Sequence, residues 1–124
     1  MTNEIKLGML LWSQAATWPE MLDAARRVDR LALPILQLGD PYQPIFEGYA
    51  TLAAWAMATQ RVRLGLLVGA NTFRNPGLVA KMIATIDHVS GGRAIMGLGG
   101  AWFELEHRAH GIDFGTGFGQ RLDW

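Results

Sequence analysis

The stretch Val62–Gly100, VRLGLLVGANTFRNPGLVAKMIATIDHVSGGRAIMGLGG, decides the fold. It opens with a nearly continuous apolar run, Val62–Ala70, which is how a strand covered on both faces reads in a parallel sheet. Asn75 can then cap a helix whose first residue is Pro76, where the missing N–H is no loss. Val79, Met82, Ile83 and Ile86 recur at i, i+3, i+4 and i+7 and make one apolar stripe. Ser90, Gly91 and Gly92 end that helix, and Ala94–Gly100 supplies another apolar strand. Strand, helix, strand with a connection of this length joins parallel neighbours through a right-handed crossover.

Working outward, Ile5–Trp12 reads as a first strand. Thr17, standing three residues before Glu20 with Pro19 in the first turn, is a capping-box signature for a helix that buries Met21, Ala25, Val28 and Ala32. From Leu33 to Phe46 the chain carries Pro34, Gly39, Pro41 and Pro44, and only Ile35–Leu38 looks like a strand, so the second strand is expected to be degenerate. Gly48–Gln60 is Ala-rich and apolar nearly all round, a buried helix, and a further helix is expected from about Phe103 to His110. Repeated strand and helix with both-side-buried strands is α/β, either doubly wound or a barrel. An eight-unit barrel takes about 250 residues. The 124 residues here are half of that, so if the chain belongs to the barrel class it is a piece of one, a partial (β/α)8 TIM barrel of about the first four units with residues 1–124 as one N-terminal half-barrel domain.

Eleven Lys plus Arg balance eleven Asp plus Glu, so no diffuse field attracts nucleic acid or an anionic membrane, and neither is expected as a partner. The absence of cysteine removes disulfides, thiolate nucleophiles and Cys-ligated metals and fits a cytoplasmic setting. The apolar run Leu7–Trp12 lacks a cleavage pattern behind it, and Ala94–Phe103 falls short of the roughly 20 residues that cross a bilayer. Five Trp, five Phe and two Tyr are hard to bury in so small a domain, so some apolar surface should meet a partner.

The glycines Gly97, Gly99 and Gly100 stand where a dinucleotide fingerprint would, but GLGGAW places Trp102 at the third glycine position and no phosphate-gripping Lys-Ser/Thr pair follows. Two readings remain: close approach of backbone to a flat ring, or tight packing, which explains Gly97 at least as well. Glu104, His107 and His110 share a helix face and could be written as a metal site, yet His residues near a helix C-terminus are more often solvated, and no metal is expected; His88 reads the same way. Neither Ser13 nor Ser90 lies in a nucleophile elbow, and spacing pairs none of the carboxylates Glu47, Asp87, Glu104, Glu106 and Asp113 across a cleft. No catalytic acid or base is assigned. Asn71 and Thr72 follow a strand directly, at the rim where parallel α/β proteins collect ligands, and either bind there or simply bond the turn before Asn75.

The run Val62–Phe114, with its strand-ending LVGANTFRNP, helix-to-strand DHVSGGR and rim segment GLGGAWFELEH, resembles the bacterial luciferase-like monooxygenase family, especially members using the deazaflavin coenzyme F420. FEGYATLAAWA upstream and the terminal GQRLDW agree with it. The resemblance implies a (β/α)8 barrel and oxidation–reduction of a small-molecule substrate through F420 or FMN at the barrel's C-terminal mouth. It also implies a non-prolyl cis peptide near Gly69, Ala70 and Asn71, with these residues beside the ring, Gly100 and Ala101 lining it and Trp102 walling the pocket. Leu33–Pro44 lacks the aromatic-Asp-His ending of the family's second strand, and the phosphate grip of such barrels commonly follows strands 7 and 8. The expectation is therefore an impaired oxidoreductase that binds F420 or FMN weakly or not at all. The competing expectation is a non-catalytic half-barrel interaction module or inactive gene fragment, self-associating through open sheet edges.

Overall fold

In the computed structural model, residues 5–38 and 46–123 are described. Strand β1 (Gly8–Leu11) leads to helix α1 (Trp18–Arg30), strand β2 (Ile35–Leu38), helix α2 (Gly48–Ala58), strand β3 (Arg63–Leu66) and the short strand β4 (Gly69–Ala70). A 3-10 turn (Asn71–Phe73), helix α3 (Pro76–Ser90), strands β5 (Ala94–Ile95) and β6 (Leu98–Gly99), and helices α4 (Glu104–His110) and α5 (Phe118–Leu122) follow. The strands form a four-stranded parallel sheet in the order β1-β2-β3-β5, and β4 pairs with β6 in a second, two-stranded parallel ladder.

The helix starts are those the sequence predicts. Glu20 accepts hydrogen bonds from the Thr17 N–H and hydroxyl, both at 2.7 Å, which also lowers its pKa, the hydroxyl contributing most. The Asn75 side chain accepts from the Gly77 and Leu78 N–H groups, and Gly91 closes α3 in the left-handed conformation, φ 72°. Helix α1 ends at Arg30, so Ala32 falls outside the apolar stripe assigned to it, exposed and at φ 57°. Helix α2 buries Tyr49, Leu52, Trp55 and Ala56 but exposes Met57.

Residues in register across a parallel sheet share a face. Leu36 and Leu64 at one level, and Leu38 and Leu66 at another, are buried against Met21, Ala25, Leu52, Trp55, Val79 and Ile86 from the helices. The opposite face carries Leu10, Gln37, Gly65 and Ile95 in one row, and all but Gly65 stay partly open. The element that reads weakest in the sequence, Ile35–Leu38, is paired over its four residues with both β1 and β3. The rest of the expected second-strand departure falls on residues 39–45, which lie outside the described residues.

Two expected strands are each broken in two. Val62–Ala70 divides at a cis peptide between Leu67 and Val68, and Ala94–Gly100 divides at Met96–Gly97. After each break the chain leaves the main ladder and pairs as β4 with β6, because Gly97 carries no side chain and the Gly69 N–H reaches its carbonyl at 2.9 Å.

Two polar clusters join consecutive units. The Asp29 carboxylate at the end of α1 accepts from the N–H groups of Gln60, Arg61 and Val62 at 3.1, 2.7 and 2.8 Å. Burial pushes its pKa up, but these three donors and the nearby Arg61 charge outweigh that and hold it below the ordinary value. The Arg93 guanidinium donates to the carbonyls of Ala56, Thr59 and Val62 at 2.8–3.0 Å, capping the end of α2 and the entry to β3. Desolvation lowers the Arg93 pKa, opposed by the charge of Asp29. Among the described residues no helix is long and apolar enough to cross a membrane.

Candidate functional site

The C-terminal ends of β4 and β6 bring the predicted rim residues together. Gly69 lies opposite Leu98 and Ala70 opposite Gly99, in parallel, so the segments leaving them, from Asn71 and from Gly100, start side by side. The cis peptide anticipated near Gly69–Asn71 falls just upstream, at Leu67–Val68.

The packing around these strands explains their small residues. A Cβ on Gly97 would collide with the Leu66 carbonyl oxygen, one on Gly99 with a Val68 methyl, and one on Gly69 would lie 2.8 Å from the Tyr49 hydroxyl. Tight packing therefore accounts for Gly97, as the sequence allows. Ala101 takes a left-handed conformation, φ 55°, and turns the chain immediately after Gly100.

What the rim presents outward is apolar. Val68 is 40%, Leu98 42% and Trp102 75% exposed, and the Trp102 ring leans on Phe103 with centroids 5.2 Å apart. Asn71 points inward instead: it is 4% exposed, and its side-chain N–H donates to the Arg121 carbonyl at 2.8 Å. Ala70 is likewise buried. Thr72, half-buried beside it, bonds His107 at 2.6 Å.

His107 departs from the solvated helix face expected of it. It is fully buried, its Nδ1 bonded to the Phe103 carbonyl at 3.0 Å and its ring 4.7 Å from those of Phe73 and Phe114. With both ring nitrogens engaged it has none to offer a metal, and no metal-holding cluster of His, Asp and Glu occurs among the described residues. Arg121, which sequence reasoning passes over, is 5% exposed; its Nε–H donates to the Gly100 carbonyl at 2.5 Å and its guanidinium lies 4.0 Å from the Phe114 centroid. The only signal for it in the sequence is the GQRLDW segment, whose charge reads as surface.

Gly69, Ala70 and Asn71 are buried and Gly100 and Ala101 half-buried, while Val68, Leu98 and Trp102 offer exposed apolar surface beside them.

Limonene 1,2-monooxygenase of Rhodococcus erythropolis is 34% identical over 96 residues, covering 74% of this chain and 25% of that protein. The coenzyme F420-dependent tetrahydromethanopterin reductase from Methanopyrus kandleri superposes with a TM-score of 0.75 at 26% identity, over 90% of this chain and 31% of that one. The oxygenating constituent of 3,6-diketocamphane monooxygenase from Pseudomonas putida, solved in complex with FMN, shares the fold with a TM-score of 0.79 at 15% identity, over 94% of this chain and 36% of that one. The chain thus spans well under half the length of these relatives, and the solved neighbours extend the sheet described above into a TIM barrel of which it is a part. The model of the luciferase-like monooxygenases matches residues 5–123, and with the parallel half-barrel and its small-residue rim it follows that the chain belongs to the luciferase-like monooxygenase family.

Proposed function

We propose that this chain is the ring-supporting half of a flavin- or F420-dependent oxidoreductase, seating one side of the isoalloxazine or deazaflavin ring on Gly69–Asn71 and Gly100–Trp102. The single observation that carries the reading is the parallel β4–β6 pair, which sets the Gly69–Ala70 backbone beside Leu98–Gly99 with the exposed apolar side chains of Val68 and Leu98 next to it. When bound, such a ring supplies hydride transfer or oxygen activation. The residues here would bind and orient it, with Val68, Leu98 and Trp102 covering its edge from water. No side chain of this rim is assigned as acid or base.

Because one side of a ring site buries only part of the ligand, these 124 residues alone should bind weakly, on the order of 0.1–1 mM. Amide NMR during titration with F420 or FMN tests this. Shifts confined to Gly69–Thr72 and Gly100–Phe103 are expected. Shifts on the helical layer, or micromolar affinity, would overturn it.

A second reading rests on the open side of the sheet. Among the described residues β1 and β5 are the outer strands of the main sheet, with no strand paired beyond them, and Leu67, Met96 and Leu98 are 48%, 52% and 42% exposed. We propose that the isolated chain self-associates through this surface.

A further inference from the structure

We infer that His107 and Arg121 are positioning residues that clamp the ring-facing backbone, an inference that rests on the rim being the cofactor site. Two hydrogen-bonded links run side by side from the segment after β4 to the segment after β6. In the first, the Asn71 side chain donates to the Arg121 carbonyl at 2.8 Å and the Arg121 Nε–H donates to the Gly100 carbonyl at 2.5 Å. In the second, Thr72 bonds His107 at 2.6 Å and His107 bonds the Phe103 carbonyl at 3.0 Å. A carbonyl only accepts, so His107 Nδ1 carries the proton, and in the neutral ring Nε2 accepts from the Thr72 hydroxyl.

Consecutive residues, 71 and 72, thus begin the links, and the carbonyls of residues 100 and 103 end them. Phe114 holds both central side chains, its centroid 4.7 Å from the His107 ring and 4.0 Å from the Arg121 guanidinium. His107 and Arg121 are both buried, yet neither belongs to the apolar cluster between sheet and helices.

The β4–β6 ladder is two residue pairs long and ends at Gly99, after which Ala101 reverses the chain in the left-handed region. A ring seat works only if its walls are held to about 0.5 Å, so the two links set the relative position of residues 71–73 and 100–103.

Backbone 15N relaxation on the unliganded chain tests this. His107→Phe keeps the aromatic box filled while cutting both of its hydrogen bonds, Arg121→Met cuts the other link, and Thr72→Val severs one contact at a half-exposed position should the buried variants fold poorly. In the wild type, order parameters for Gly100–Phe103 should sit near the rigid value of about 0.85, and in each variant fall toward about 0.6, with α3 and β1–β3 unchanged. Arg121→Lys should recover part of the loss, and affinity for FMN or F420 should weaken about fivefold in His107→Phe and Arg121→Met. Unchanged order parameters at 100–103, or a fall shared equally by α3, would overturn the clamp. If the wild type binds neither ring, the cofactor reading fails, whereas the relaxation data still decide whether the two links hold the segment.

Discussion

A methyl group at Gly97 would run into the Leu66 carbonyl oxygen, whereas one at Gly91 would meet open space and only the left-handed backbone would resist it. The two glycines therefore predict different responses to the same change. Gly97→Ala should destabilise by about 3 kcal/mol, the upper end for overpacking, since the obstacle is backbone. Gly91→Ala should lose only about 1 kcal/mol through its conformation. Denaturant melts of the pair check this, and equal losses would contradict the close β3–β6 approach. At this scale the sequence was legible where a residue's type constrains backbone, as at Gly97, Asn75 and the Thr17–Glu20 pair. It was not legible at His107 and Arg121. Both sit among charged neighbours in the sequence, and their burial depends on Phe73, Phe114 and the rim carbonyls, which come from other parts of the chain.

Among elements, the join between α1 and β3 has a pH signature. Asp29 binds three N–H groups at the start of β3 and its pKa is lowered from 3.8. A carboxyl with a lower pKa folded than unfolded contributes stability above the unfolded value. That contribution is lost as pH falls through the folded one. Asp29→Asn should accordingly lower Tm at pH 7 and flatten the decline in Tm below about pH 4; an acid limb as steep as the wild type's would contradict the assignment. The helices were readable because caps and periodicity are local. The break at Leu67–Val68 was anticipated only through the family resemblance, near Gly69–Asn71, and that at Met96–Gly97 not at all, since what ends β3 and β5 is a change of pairing partner.

For the whole molecule, strand-helix alternation left a doubly wound sheet or a piece of a barrel, the family resemblance implied the barrel, and a four-stranded parallel sheet with helices on one face is what the chain forms. Its other face leads to the prediction that belongs here. Met96, 52% exposed beside the break before β6, should reduce concentration-dependent association when replaced by Glu while leaving Tm within a few degrees. Light scattering across a concentration series measures it, and a wild type that stays monomeric throughout would sink the self-association proposal.

Arg93 sets how much of the polypeptide must exist before any of it can settle. Its guanidinium satisfies carbonyls of Ala56, Thr59 and Val62, all more than 30 positions earlier, so a growing chain on the ribosome has α2 and β3 in hand long before the group that completes them. Until residue 93 clears the exit tunnel, those carbonyls have only water to turn to. The smallest piece able to hold its shape therefore extends through the arginine, and synthesis halted upstream of it would leave the earlier units without their fastening.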